Sequence, residues 1–319
     1  METRRGKTYI IALGGNALTR PGDSGTPEEM ARQIRHALEG ILQILNSEDR
    51  LVLTHGNGPQ VGNELLRYDA GKSFYNIPPF PLDVAVAATQ GFIGYLLERE
   101  LRNLLQAQPQ GREVASLVTL IEVSPSDPAF EKPTKRVGKT YYDINEVKRL
   151  IREKNWQFTE EIKQNKKGWR RVVPSPEPLQ VVNEAALKKL LDTGFMLITG
   201  GGGGVPVELR NGKWRGVEAV IDKDAASALL AATLEAEEFI ILTDVDFVYE
   251  NYGQPGQKAL EILTLNQIEQ YISHGIFGAG NMLPKIKAAA NFVQRTGQTA
   301  LITELEGLKT GRGTRIIKN

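Results

Sequence analysis

Apolar residues along this chain gather in short continuous runs separated by helical stripes. Tyr9-Ile10-Ile11-Ala12-Leu13 and Leu51-Val52-Leu53-Thr54 have strand length, and each gives way to glycine, at Gly14-Gly15-Asn16 and His55-Gly56-Asn57-Gly58. Residues 113–120, 195–199, 239–242 and 299–303 read the same way. Runs that are apolar throughout suit a parallel sheet buried on both faces. Helices are predicted between them. Thr26-Pro27-Glu28-Glu29 supplies an N-cap, a proline at the first helical position and first-turn acids. That helix should reach about Asn46, with Ile34, Leu38, Ile41 and Ile44 on one stripe. A longer one covers 82–105, where Ala85, Ala87, Ala88, Gly91 and Gly94 permit close approach of a neighbour. Further helices are expected over 181–191, 223–234, 265–273 and 283–295. The alternation predicts an α/β fold, a three-layer αβα arrangement around a mainly parallel central sheet.

One stretch breaks the rhythm. Residues 124–178 hold six of the sixteen prolines and two of the three tryptophans, Trp156 and Trp169. A small protruding subdomain inserted into the first lobe accounts for this, with 163–167 as a solvated basic turn. Asn211-Gly212 between short apolar flanks predicts a tight hairpin.

Composition narrows the partners. A net charge of +1 gives no footprint for nucleic acid or an anionic membrane. No apolar stretch approaches the roughly 18 residues of a membrane span. The charged N-terminus leads straight into a short strand without a signal-type apolar region. The absence of cysteine removes disulfides, thiolate metal sites and Cys nucleophiles, and the dispersed His36, His55 and His274 argue against a multi-histidine metal site. A cytoplasmic protein without a protein-held metal is expected.

The chemistry starts at Gly200 to Gly204, five consecutive glycines where the run 194–199 ends. Glycine in a fixed backbone costs roughly 0.5–1 kcal/mol relative to Ala at each position. Main-chain N–H groups cradling phosphate would explain such a loop at Gly201, Gly202 and Gly203. A flexible connector is the alternative. Neither Gly-x-x-x-x-Gly-Lys-Ser/Thr nor a helix-opening Gly-x-Gly-x-x-Gly is present, so a P-loop or standard dinucleotide fold is unsupported. Lys223 and Lys285 both sit at predicted helix starts, against the macrodipole preference, and an anion between them would resolve the conflict. Solvated surface lysines are the plainer alternative. Asp224 could hold the Lys223 ammonium or be an ordinary first-turn acid. Thr243, Asp244, Val245 and Tyr249 follow a buried strand and could hold a nucleoside, or form an Asx turn. His55 could satisfy loop backbone groups or act as a base. Glycine loops with lysines suffice for phosphoryl transfer, which needs alignment and positive charge more than covalent chemistry. A carboxylate acceptor would need no general base.

Together these segments resemble the amino acid kinase superfamily and, within it, the carbamate kinase family. The resemblance runs nearly end to end, through residues 12–18, 55–62, 79–83, 216–224, 243–246 and 282–285. The insert segments Asp127-Pro128-Ala129-Phe130 with Pro133-Thr134-Lys135, and 169–176, select carbamate kinases. It implies a homodimeric two-lobed enzyme moving phosphoryl reversibly between ATP and carbamate, or carbamoyl phosphate and ADP, with Mg2+ arriving on the nucleotide. Residues 1–215, containing the subdomain 124–178, would bind carbamate or carbamoyl phosphate, and 216–319 the nucleotide. Lys223 and Lys285 would contact the transferring group, with Asp224 positioning Lys223. Relatives in the superfamily carry a lysine where Ala12 stands here; Lys135 is the implied substitute. Gly14, Gly15, Asn16, Gly56, Asn57 and Gly58 would hold carbamate or carbamoyl phosphate; Thr243, Asp244, Tyr249 and Met282 would line the nucleotide site. Arg136-Val137-Gly138-Lys139 and Asn281 depart from the family pattern. A relative acting on another small acid, and a nucleotide-binding regulatory subunit without turnover, are the other readings. The set Lys135, Lys223, Asp224 and Lys285 disfavours the second of these, and the lack of an arginine near the second glycine loop disfavours the first.

Overall fold

The apolar runs form one eight-stranded sheet. In the computed structural model, which describes residues 6–20, 22–106, 111–163, 166–277 and 282–319, the edge-to-edge order is Ile262–Thr264, Thr314–Ile317, Thr299–Thr303, Glu238–Leu242, Thr8–Leu13, Arg50–His55, Met196–Ile198 and Val114–Ser116. Thr299–Thr303 against Thr314–Ile317 is antiparallel, and the other described pairs are parallel. The sheet is continuous between the two expected lobes, where Thr8–Leu13 lies beside Glu238–Leu242.

Alternate residues of the central strands feed two separate cores. Ile10, Ala12, Val52, Phe239 and Ile241 join Leu230, Ile286 and Phe292 of the helices Lys223–Thr233 and Met282–Thr296 on one face. On the other, Ile11, Leu13, Leu53 and Ile240 join Ile34 and Leu38 of Pro27–Leu42 and Ile93 and Leu97 of Leu82–Leu105. The predicted three layers are therefore present, each large side chain contributing about 1.5–3 kcal/mol on burial. The Thr26 hydroxyl accepts from the Glu29 amide, whose carboxylate accepts from Thr26 N–H in return. This helix ends at Leu42, short of the expected Asn46. The Asp49 carboxylate takes the amides of Asn46 at 2.9 Å and Lys7 at 2.8 Å, drawing the chain toward the sheet.

The predicted strand over 113–120 is divided between two sheets. Leu120–Val123 belongs to a four-stranded sheet with Lys213–Gly216, Val205–Arg210 and Pro178–Val181. The break is at buried Thr119, whose N–H donates to the Gln90 side chain at 3.0 Å and whose carbonyl accepts from it at 3.3 Å. The Gln90 side chain thus takes the Thr119 amide, while the Thr119 carbonyl also accepts from Val205 N–H at 2.8 Å. The neighbouring strand breaks at the same level, since Met196–Ile198 passes through Gly200–Gly204 into Val205–Arg210, again parallel to its neighbour. The five glycines are the corner where this two-strand ribbon changes sheet. The hairpin at Asn211 and Gly212 is present, with φ of 53° and 73°.

The insert is a three-stranded antiparallel sheet, Lys135–Tyr141, Lys166–Val173 and Gln157–Lys163, with helix Ile144–Lys154. Tyr141, Val147 and Leu150 with Trp156, Phe158 and Trp169 form its own small core. The expected basic turn becomes strand up to Lys163 and from Lys166, and residues 164–165 lie outside the described set, as do 1–5.

The corner yields a stability test. Gly203 has φ of 92°, and a Cβ there would stand 2.5 Å from the Ile221 carbonyl oxygen, whereas Gly212 opens on free space. Gly203→Ala should destabilise by about 3 kcal/mol or more and Gly212→Ala by only about 1–2 kcal/mol, read from denaturant midpoints. Equal losses would contradict the crowding.

Candidate active site

A cavity of about 620 Å3 lies where Thr8–Leu13, Arg50–His55 and Glu238–Leu242 end, the edge at which α/β sheets bind ligands. Its wall includes the starts of helices Gly58–Tyr75, Lys223–Thr233 and Met282–Thr296. Each presents the positive end of a helix dipole.

Asp222 caps Lys223–Thr233, accepting from Asp224 N–H at 2.9 Å and Ala225 N–H at 3.3 Å on one oxygen. Its other oxygen accepts from the Lys135 ammonium at 2.8 Å. One residue into the helix, the buried Asp224 accepts from Lys223 at 2.6 Å and from Lys285 at 2.9 Å, one oxygen each. The three lysines, 62 or more positions apart along the chain, meet through two neighbouring carboxylates. Burial alone would raise the Asp224 carboxyl; Lys223 and Lys285 overcome it and hold it well below the usual carboxylate range. Asp222 is likewise lowered, burial being outweighed by Lys135 and the helix amides. Burial pulls the Lys223 ammonium down, with Lys285 adding to the effect and Asp224 opposing it. At the centre of the site the three lysines outnumber the two acids that bridge them. The site is built for an anion.

The glycine loops meet there as expected. Gly14, Gly15, Gly56, Asn57, Gly58 and Gly202 line the cavity. Gly201 and Gly203 are buried behind the wall. A Cβ on Gly201 would come within 2.5 Å of the His55 ring, and one on Gly202 within 2.5 Å of the Asn57 side chain. The run thus presses against the second glycine loop from beneath, a use the sequence did not reveal. Asn57 is fixed by donating to Thr89 Oγ1 at 2.8 Å. Thr243 and Asp244 reach the cavity. Val245, Tyr249 and Met282 stand outside its wall, and the Tyr249 hydroxyl donates to Asp246 at 2.6 Å. The side chain of Asn16 and residues 278–281, Asn281 included, lie outside the described residues.

Two residues were missed. Asp222 was not singled out, and it caps the helix with one oxygen while holding Lys135 with the other. Gln60, on the cavity wall, has a buried amide oxygen without a hydrogen-bond partner among the described residues; nothing in its sequence setting marks it. Among those residues no cluster of three or more His, Cys, Asp or Glu could hold a metal, and no helix is long and apolar enough to cross a membrane.

A sequence profile of the Amino acid kinase family matches residues 7–304. The carbamate kinase of Pyrococcus furiosus is 43% identical over 316 residues, spanning 98% of this chain and 99% of that relative. That of Thermococcus kodakarensis is 44% identical over 317 residues, with the same coverage. The solved structure of carbamate kinase from Giardia lamblia bound to AMP-PNP superposes with a TM-score of 0.89 at 39% identity, covering 98% of this chain and 99% of that one.

His55 supplies a pH test. Burial pushes its imidazole down from 6.5 to about 4, against the Gly56 carbonyl hydrogen bond and with help from Lys223. Between those values the unfolded chain binds the extra proton, so stability rises with pH across that window and is lost as pH falls through it, by up to about 3 kcal/mol. His55→Gln should flatten that part of the stability profile. An unchanged slope between pH 6.5 and 4 would refute a neutral buried imidazole.

Proposed function

The chain belongs to the amino acid kinase family and within it to the carbamate kinases, and from that premise we propose that its cavity transfers phosphoryl between carbamoyl phosphate and ADP, reversibly yielding carbamate and ATP. The observation carrying this reading is the buried Lys223–Asp224–Lys285 bridge, with Lys135 facing it from Asp222, at the meeting of three helix N-termini.

Lys223 and Lys285 take the equatorial oxygens of the transferring group, where charge spreads in a loose transition state. Asp224 keeps the two ammonium groups apart and aimed. The amides of Gly14, Gly15, Gly56 and Gly58 face the acceptor side, and Lys135 exchanges Asp222 for a phosphoryl oxygen. The nucleotide lies toward Thr243 and Asp244, so residues 1–215 serve mainly the carbamoyl substrate and 216–319 mainly the nucleotide. A β-phosphate oxygen of ADP attacks phosphorus, the bond to the carbamoyl oxygen breaks, and carbamate leaves as an anion. No proton moves, which agrees with a neutral His55. Mg2+ fits as a passenger of the nucleotide, because Asp222 and Asp224 are already committed to ammonium groups and helix amides. Bound there, it would neutralise phosphate oxygens while keeping much of its water. A homodimer in the cytoplasm completes the proposal, supported by the likeness to carbamate kinases.

The test is ATP formation from carbamoyl phosphate and ADP, with acetylglutamate plus ATP as control. Lys223→Ala and Lys285→Ala should each lower turnover by roughly 10²-fold or more. Near-wild-type turnover in either variant removes that lysine from the mechanism. Excess chelator should abolish activity and added Mg2+ restore it; full turnover in metal-free buffer would sink the metal-carrying role of the nucleotide.

A further inference from the structure

Lys135 comes from the inserted subdomain, and its reach depends on where that subdomain docks. Its strand, Lys135–Tyr141, lies against helix Gly58–Tyr75, whose first turn forms part of the cavity wall. On the second turn, buried Gly62 meets Gly138 backbone to backbone. A Cβ on Gly62 would overlap the Gly138 Cα and stand 2.6 Å from its nitrogen. Gly138 has φ of 73°, and the strand register shifts between Val137 and Thr140, which turns Gly138 toward the helix. Val61 and Val137, both fully enclosed, pack beside this point. Asp69, seven residues past Gly62 and so on the same helical face, pairs with Lys154 of the subdomain helix. One rigid helix therefore presents its N-terminal amides to the cavity and registers the strand that carries Lys135.

We propose that Gly62 is a positioning residue that sets the reach of Lys135 through Gly138. This rests on the reading of Lys135 as a phosphoryl contact. A Cβ at position 62 meets backbone, which cannot rotate aside, so relief requires the strand to move out by roughly 1 Å toward ordinary carbon–carbon separation. The shift passes along three residues to Lys135, whose ammonium stands 2.8 Å from Asp222 Oδ2. A misplacement on that scale costs on the order of 10²-fold in rate. The nucleotide, held by other elements, should bind as before.

The experiment is a double-mutant cycle of Gly62→Ala and Lys135→Ala in the full chain, with kcat, the KM for ADP and thermal midpoint measured for each. Gly62→Ala should lower kcat by roughly 10²-fold with little change in the KM for ADP. The double variant should be no slower than Lys135→Ala alone, because the ammonium being misplaced is already gone. Gly138→Asn, which tolerates positive φ and meets Gly62 Cα only at 3.8 Å, should retain turnover within about fivefold. If Gly62→Ala fails to fold, Gly138→Val, β-branched at a φ of 73°, strains the strand backbone at the same point and enters the same cycle. Multiplicative losses in the cycle, or wild-type kcat in Gly62→Ala, would overturn the positioning role. Wild-type turnover in Lys135→Ala would instead overturn the reading beneath it.

Discussion

The site depends on one buried carboxylate. Asp224 is nearly sealed from solvent and accepts from two ammonium groups that would otherwise repel each other. Their side chains are only 15% and 11% exposed, whereas Lys135 and Asp222 are about a third exposed, at 32% and 31%. That contrast separates a fixed part from an exchangeable one. Removing one partner from a buried pair leaves an uncompensated charge, which is strongly destabilising, so Lys223 and Lys285 stay in register with Asp224 whether or not ligand is present. Lys135 and Asp222, closer to water, can part when a phosphoryl oxygen offers the ammonium a better partner. Fixed and exchangeable cations on opposite sides of one anion describe how a clamp can be open to substrate and preorganised at once.

Holding that carboxylate in place falls to the corner beneath it. Gly200–Gly204 turns the strand ribbon from one sheet to the other while passing against His55, Asn57 and Ile221, the last of these just before the helix that carries Lys223. The sequence made the run conspicuous and its position at a strand end readable. Its physical cause was not readable from the run itself. The groups that forbid side chains there lie between 18 and 146 residues away, and crowding across that distance has no local signature. The same applies to the break at Thr119, where a glutamine from a helix takes the strand amide.

Legibility followed burial symmetry. Strands buried on both faces announce themselves as unbroken apolar runs, so the centre of the main sheet and the helices packed on it were readable within a few residues. The subdomain strands share a small core, in a segment crowded with Lys, Arg and Glu. Their alternation is real at Tyr141, Phe158 and Trp169, but it is short, charged and interrupted where Val137 and Gly138 turn to helix Gly58–Tyr75. Lysines at helix starts were readable as a conflict with the macrodipole. That they would converge on adjacent acids of a single helix start was not, because the convergence is made by the sheet's topology.

Three lysines at the centre of the site could stabilise many anions; what narrows the chemistry is that the acids paired with them are poor proton acceptors. His55, nearest to the phosphate loops, is held neutral by burial and hydrogen-bonded through Nδ1 to the Gly56 carbonyl. Asp222 and Asp224, two of the carboxylates on the cavity wall, are depressed and occupied by lysines. Activating water for hydrolysis requires a base with room to take a proton, and none of these three groups offers it. Transfer between two oxyanions requires none. The same carboxylates that organise the lysines thereby remove themselves from proton chemistry, favouring phosphoryl exchange between substrates over its loss to water.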